Sequence, residues 1–387
     1  MKRLAIVTTH PIQYYAPVFE LLHKRQKIDI RVFYTWGEQA NSKFDPGFGK
    51  SVDWDIPLLN GYPYTWVKNI STNPGSSHYK GIVNPELIGE ITNWRADAVL
   101  VYGWAYHSHL NVMRHFHGKI PVYFRGDSTL LNTAFGIKGL VKYFYLQAVY
   151  RNIDYAFYVG SNNKAYFRKY GLKENQLIFA PHAIDNDRFG ENREIEAKQI
   201  RSSLGVSEKD ILILYAGKFE AVKNTELLIS AFIDLKKTGV HLLLAGNGAK
   251  ESILKHMAQK SQLTTNIHFL NFQNQTYMPV LYQAADVFCL PSLSETWGLS
   301  VNEAMACGKA VLVSDKVGCA ADLVKENYNG YTFRSSEMCD LVKKLDKITG
   351  SKEELINYGS NSKALIKNWN FLAFAETIEK KINEVNE

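Results

Sequence analysis

Five short apolar runs with almost no polar alternation, set apart by stretches of helix length, dominate the second half of the chain and restrict what it can fold into. They are Ile211–Ala216, Val240–Ala245, Ile267–Leu270, Asp286–Leu290 and Ala310–Ser314. A strand that is apolar on successive residues has both faces covered, the habit of parallel sheets with helices packed above and below. Thr225–Lys237, Lys250–Gln262, Met278–Ala285 and Ser300–Cys307 read as those helices. The pattern predicts a doubly wound α/β domain.

The first half follows the same grammar. Leu4–Thr8 and Ile28–Tyr34 read as strands around a helical stretch from Pro17 to Arg25, and Val99–Tyr102, Pro121–Phe124 and Tyr155–Val159 are further apolar runs. Leu140–Arg151 reads as an amphipathic, aromatic helix that covers the core ahead of the Tyr155 strand, with membrane contact as the alternative. Residues 36–80, rich in Gly, Pro, Asn and Trp, read as an elaborated loop region, where substrate choice often resides. At 387 residues the chain is long enough for two domains, and the polar stretch Asp185–Asp210 reads as their connection. Leu372–Val385, entered past Trp369 and Phe371, closes the chain as an amphipathic helix.

Composition narrows the class. The apolar share of 46% and charged share of 21% are those of a soluble globular protein. Leu4–Val7 is too short for a signal h-region, and no run approaches the ~18 apolar residues that span a bilayer, so a cytoplasmic location is expected. Cys289, Cys307, Cys319 and Cys339 form no CxxC pair and are expected as buried, reduced thiols. Residues 1–190 hold 22 Lys and Arg against 14 Asp and Glu, while the remainder holds 23 against 24. A basic first half suits an anionic partner such as a phosphorylated carrier, an acidic glycan or the inner face of an anionic membrane. Solubility charge is the plainer account. The basic residues are scattered and no recognition module is readable, which argues against nucleic acid.

Ligands of open parallel sheets sit at the carboxyl ends of the strands, so the chemistry belongs to the loops there. After the Asp286–Leu290 strand comes Pro291-Ser-Leu-Ser-Glu295-Thr-Trp-Gly-Leu-Ser-Val-Asn-Glu303. Glu295 falls in the loop and Glu303 about one turn inside the helix that follows. The amides near Trp297, Gly298 and Leu299, with the helix dipole, suit a phosphate. Two carboxylates beside an anion site would repel it, so they should face hydroxyls, which sugars supply. After the Ile211–Ala216 strand, Lys218 and Lys223 share a loop and can converge on a diphosphate; as an isolated signal this is equally a pair of solvated lysines.

Taken in order, these pieces resemble the retaining glycosyltransferases of family 4, the glycosyl transferases group 1. The matching residues are Gly217-Lys218…Lys223-Asn224, Ala245-Gly246-Asn-Gly248, Ala284-Ala285-Asp286-Val287, Glu295-x7-Glu303 followed by Ala304-Met-Ala, Val317-Gly318 and Asn329-Gly330. Pro181-His182-Ala183-Ile-Asp185…Phe189 resembles the end of the family's first domain, with His182 and Ala183 where Asn and Gly are usual.

The resemblance implies a GT-B fold: two Rossmann-like domains facing across a cleft, with a C-terminal helix crossing back to the first. The expected domains are 1–190 with 366–387, for the acceptor, and 191–365, for the donor. It also implies transfer of a hexosyl unit from a nucleoside-diphosphate sugar, UDP by default, to a hydroxyl of a glycan or lipid-linked acceptor in cell-envelope or polysaccharide biosynthesis. The sugar nucleotide is a co-substrate, and no cofactor is required. Lys218, Lys223, Gly298 and Leu299 would hold the diphosphate. Glu295, Thr296, Trp297 and Glu303 would hold sugar and ribose, with Glu295 at the reacting centre and Asn271 and Phe272 near the base. Retention by front-face attack, with phosphate assisting deprotonation of the acceptor, needs no dedicated protein base.

In the first domain the family's Gly-rich loop is replaced by Thr8-Thr9-His10-Pro11-Ile12-Gln13-Tyr14-Tyr15. His10, Gln13, Arg125 and Asp127 are the acceptor-side candidates, the last two expected to line the cleft. His107 occupies the place of a family histidine near the donor sugar, with His109 as the competing choice. No metal is expected. Asp53-Trp-Asp55 spells a DxD but follows no nucleotide-binding strand, and His115 and His117 have nothing to complete a ligand set. Gly246-Asn-Gly248 lacks the third glycine of a dinucleotide fingerprint and reads as a close turn. The rivals are another GT-B activity, an epimerase or phosphorylase, and an inactive nucleotide- or glycan-binding module.

Overall fold

In the computed structural model the described residues are 1–38, 43–45, 47, 50–132, 136–261 and 263–384. Gln262 and Val385, expected as helix ends, lie outside them. The chain divides into two compact units. One comprises Met1–Lys43, Ile56–His182 and Phe371–Glu387; the other comprises Phe44–Asp55 and Ala183–Asn370.

The first unit is built on a seven-stranded sheet in the order Tyr64–Trp66, Asp29–Tyr34, Arg3–Thr8, Ala98–Tyr102, Val122–Arg125, Tyr155–Tyr158, Leu177–Phe179. All neighbouring pairs are parallel. Successive residues of the Arg3–Thr8 strand serve opposite faces: Leu4 and Ile6 enter one hydrophobic cluster, Ala5 and Val7 another. That is why the strand reads as an unbroken apolar run. Helix Phe371–Glu384 belongs to this unit, and its Phe374, Ala375, Ile378 and Ile382 complete the core on the Leu4–Ile6 face. Arg25 anchors it by donating from Nε to Glu379 Oε1 at 2.8 Å.

The second unit holds a six-stranded parallel sheet in the order Ile267–Leu270, Val240–Ala245, Ile211–Ala216, Val287–Leu290, Ala310–Ser314, Gly330–Phe333. Every residue of Ile211–Ala216 is buried. Two such parallel sheets with helices are the GT-B architecture.

Several expectations need correction. Asp185–Asp210 is no bare linker: helices Asn186–Gly190 and Glu194–Ser203 fill most of it. Asp185 caps the first by accepting from the Arg188 amide at 3.0 Å, and Arg201 on the second pairs with Asp286 at 3.0 Å. Few apolar groups suffice for helices held by caps and ion pairs. The 36–80 region contributes an edge strand, Tyr64–Trp66, besides the small sheet of Lys43–Asp45 and Lys50–Val52. Cys339 is exposed, whereas the other three cysteines are buried.

The aromatic helix, Ile137–Tyr150, covers the core only with Leu146, Val149 and Tyr150. Ile137, Leu140, Val141, Phe144 and Tyr145 are exposed, because they lie on the opposite side of the helix from the core-facing residues. Among the described residues no helix is long and apolar enough to cross a membrane.

Candidate functional site

In the second sheet the strand order runs outward from Ile211–Ala216 in one direction and resumes with Val287–Leu290 on its other side. In an open α/β sheet, the carboxyl ends of the two strands at such a reversal are the usual ligand position. The loops that leave them carry the charged residues of the sequence motif. They are joined by Leu293, whose amide donates to the Val222 carbonyl at 2.8 Å. Across the junction the Lys223 ammonium pairs with Glu295 Oε2, both side chains about one-fifth exposed (22% and 19%).

The lysine loop is braced from two sides. Tyr215 Oη donates to the Lys218 carbonyl at 2.7 Å. Burial, and then the charge of Glu295, push the Tyr215 hydroxyl well above its ordinary pKa, so it stays a donor. The Phe219 amide donates to the Asn247 carbonyl at 2.9 Å, and the Lys250 amide to the Phe219 carbonyl at 2.9 Å. Glycine is required at 246 and 248 for this approach. A Cβ on Gly246 would collide with the Gly217 carbonyl oxygen, and one on Gly248 would lie 2.7 Å from the Phe219 amide nitrogen. The Gly-Asn-Gly motif thus locks two loops together.

The acidic loop is laced to the turn after Ala310–Ser314. The Glu295 amide donates to the Lys316 carbonyl (3.1 Å), Gly318 to Glu295 (3.0 Å) and Cys319 to Trp297 (2.9 Å). A side chain at Gly318 would run into the Thr296 carbonyl oxygen, which explains the Val317-Gly318 motif. Gly298, in the left-handed region at φ +97°, caps helix Leu299–Ala306 without a side-chain oxygen. The helix starts with its backbone amides at the loop that carries Glu295.

Not every named side chain faces that loop. The Trp297 indole is buried, donating to Asn302 Oδ1 at 3.0 Å and stacking on Trp369 with centroids 5.2 Å apart. Thr296 is exposed. Glu303 is 3% exposed and accepts from Tyr282 Oη at 2.7 Å, so its carboxylate is oriented from inside the unit. Asn271 accepts from Asn247 at 3.3 Å, and the Phe272 amide donates to Asn247 Oδ1 at 2.8 Å.

Residues 53–55 join this surface from far upstream. The Asp53 carbonyl accepts from Asn274 at 2.7 Å, the Asp55 carboxylate accepts from the Thr276 amide at 3.2 Å, and the Trp54 ring lies 6.3 Å from Phe272. Gly47 lies against Lys218 in the same way: a Cβ there would come 2.5 Å from Lys218 Cδ. No local pattern announces a pairing across more than two hundred residues. Among the described residues no group of three or more His, Cys, Asp or Glu could hold a metal ion.

The first sheet has its own reversal, between Arg3–Thr8 and Ala98–Tyr102. The loop after the first strand holds His10, whose Nδ1 lies 2.8 Å from Thr9 Oγ1 and whose ring meets Trp36 edge-on, and half-buried Gln13. His107 opens helix His107–Phe116 beside Asn111 and the Tyr79 ring, and lines a hollow of about 150 Å³. Its competitor, His109, is buried. Its Nδ1 donates to the Tyr102 and Gly103 carbonyls at 3.0 Å, and Nε2 lies 2.9 Å from Thr35 Oγ1. Burial lowers its pKa to about 4, so it is neutral and structural.

Arg125, expected to line the cleft, is also buried (1% exposed). Its guanidinium donates to the Ala180 and Pro181 carbonyls, both at 3.0 Å, and lies 3.8 Å from the Phe374 ring centroid. Those contacts spend the charge inside the unit. Asp127, two residues on, acts electrostatically on Arg125 and on half-buried Tyr15.

The two sheets define the class of fold, GT-B. Residues 196–365 match the family model described as glycosyl transferases group 1. The chain is 28% identical over 193 residues to an uncharacterized glycosyltransferase of Methanocaldococcus jannaschii, covering 49% of each chain. It is 27% identical over 212 residues to the N,N'-diacetylbacillosaminyl-diphospho-undecaprenol alpha-1,3-N-acetylgalactosaminyltransferase of Campylobacter jejuni, covering 53% of this chain and 54% of that one. The matches thus span about half the length of these curated relatives. The fold superposes on a sucrose-phosphate synthase of Thermosynechococcus elongatus with TM-score 0.75 at 18% identity, over 100% of this chain and 99% of the other. Anabaena HepE in complex with UDP and glucose gives 0.73 at 16% identity, over 99% and 100%.

Proposed function

We propose that the protein transfers a hexosyl unit from a nucleoside-diphosphate sugar, with UDP the favoured nucleotide, to a hydroxyl of a glycan or lipid-linked acceptor. The observation that carries this reading is the Lys223–Glu295 pair across the strand reversal of the second sheet, beside a helix start capped only by Gly298. A cation and amide hydrogens suit a diphosphate, and a carboxylate next to them suits the hydroxyls of the sugar.

In this reading Lys218, Lys223 and the amides of Gly298 and Leu299 hold the diphosphate. Glu295 and the Thr296 backbone hold the sugar, and Glu303, oriented by Tyr282, takes the ribose hydroxyls. Asn271 and Phe272 border the base, with Trp54 against them. His107, His10 and Gln13 serve the acceptor side. The bond from the anomeric carbon to the diphosphate breaks, the acceptor oxygen bonds that carbon on the same face, and its proton passes to the departing phosphate oxygen. Holding the developing diphosphate charge is then the main catalytic task. The UDP and glucose named for the structural neighbour support the choice of nucleotide, and the diphospho-undecaprenol in a relative's name supports a lipid-linked acceptor.

Incubation with a UDP-sugar alone, and then with hydroxyl acceptors, tests the reading by mass spectrometry of the products. A glycosylated acceptor is expected. Conversion of the donor to another sugar nucleotide without acceptor would identify an epimerase instead. Absence of turnover together with unshifted thermal unfolding in UDP, GDP and ADP would remove the donor site altogether.

A further inference from the structure

Helix Ile137–Tyr150 is apolar on two opposite sides. Leu146, Val149 and Tyr150 face the core of the first unit. Ile137, Leu140, Val141, Phe144 and Tyr145, spaced as one continuous helical stripe, face outward with exposures from 42% at Tyr145 to 83% at Ile137. A surface helix of a globular domain needs only the first stripe. Leaving five large apolar side chains together in water is costly, and a patch of that kind marks an interaction surface.

Charge says what the surface meets. The helix carries Lys138 and Lys142 and no Asp or Glu. Residues 101–174, which include the helix and its neighbours, hold ten Lys and Arg against three Asp and Glu; Arg125 is buried and Lys164 and Arg168 pair with Glu174, which leaves seven cations, Lys138 and Lys142 among them. Lys142 lies 6.0 Å from the Tyr166 ring, and Lys169 lies 5.9 Å from the Tyr170 ring, which is 6.0 Å from the ring of Tyr143 on the helix. Trp104 adds a further aromatic edge, 5.7 Å from Tyr145. An apolar stripe bordered by cations and aromatic rings matches an anionic lipid surface, where side chains enter the acyl boundary and ammonium groups meet phosphates. A protein partner would supply acidic side chains but would not require the outward stripe to be purely aliphatic and aromatic.

We propose that Ile137–Tyr145 is a docking element that seats the first unit on an anionic bilayer, with Leu140, Val141 and Phe144 inserted and Lys138 and Lys142 at the headgroups. This goes beyond the proposed sugar transfer, and its test reads lipid binding rather than turnover, so either reading can fail without the other.

The test is co-sedimentation of the full chain with phosphatidylcholine vesicles and with mixed phosphatidylcholine–phosphatidylglycerol vesicles. Binding to the mixed vesicles only, weakened by salt, is expected. Leu140→Gln/Val141→Gln/Phe144→Gln should lose roughly tenfold or more in partitioning while keeping its circular dichroism and thermal midpoint, because the replaced side chains are already exposed. Lys138→Gln/Lys142→Gln should weaken binding several-fold and flatten its salt dependence. The proposal is overturned if the wild type ignores both vesicle types, if the triple variant binds as well as the wild type, or if the wild type forms a lipid-independent dimer that the triple variant abolishes.

Discussion

Lys223 and Glu295 stand 72 residues apart in the sequence and are ion-paired where the strand order of the second sheet reverses. Each neutralises the other; under the proposed function, a diphosphate that engages Lys223 draws it away from Glu295 and leaves the carboxylate to a sugar hydroxyl. The two substitutions should therefore behave oppositely. Lys223→Ala should weaken UDP binding by about tenfold to a hundredfold, the scale of a lost charge-assisted hydrogen bond. Glu295→Ala should abolish transfer while UDP binds at least as tightly as to the wild type. Calorimetry with UDP, beside a transfer assay, measures both. Undiminished turnover in Glu295→Ala would remove the role given to it.

Gly318 tests whether the acidic loop is held from behind. Because a Cβ there meets the Thr296 carbonyl, Gly318→Ala must push the Glu295–Trp297 backbone aside. We expect a loss on the order of 2 kcal/mol in stability by urea unfolding, with kcat reduced more than the loss of folded protein accounts for.

Trp54 lies against Phe272, yet it reaches the second unit from a segment far upstream. Trp54→Ala should lower affinity for UDP and GDP alike by roughly tenfold, the scale of a lost aromatic contact to a base, while affinity for inorganic diphosphate is unchanged. Competition binding separates the two ligands. Equal loss for both would place Trp54 in a purely structural role.

His109 makes stability depend on pH. Its pKa falls from 6.5 to about 4 on folding because burial disfavours the imidazolium. As the pH drops, the unfolded chain therefore takes up this proton first. The contribution is complete above about 6.5 and is lost progressively down to about 4, the loss reaching about 2 kcal/mol by pH 5. Urea midpoints should fall between neutral pH and pH 5, with His182, His241 and His268, whose pKa values burial also lowers, adding to the slope, and His109→Gln should show a smaller slope despite lower overall stability.

The parallel strands of both sheets were legible because burial on two faces leaves no polar alternation to confuse them. Leu177–Phe179, Tyr64–Trp66 and Gly330–Phe333 were not, since these edge strands of three or four residues carry too little apolar length. At the site, Lys223, Glu295 and Gly298 could be placed from the loop-after-strand rule, and Gly318 from its motif. Arg125 was misplaced because the same rule cannot distinguish a strand-end side chain that points outward from one that turns onto carbonyls of its own unit. Trp54 was missed for a different reason: its neighbour is brought close only by tertiary structure. The exposed stripe of Ile137–Tyr145 has the same spacing as a buried one, and spacing alone does not say which side the core is on.

Phe374, Ala375, Ile378 and Ile382 fill the core beneath the very first strand. On the ribosome, everything up to Asn370 is made before those four residues exist. The second unit is then complete and free to fold, while the sheet begun at Arg3 still lacks part of its interior. Folding therefore finishes at the amino-terminal unit, and a ribosome that stops short of residue 371 releases a chain whose later half is sound and whose earlier half is open.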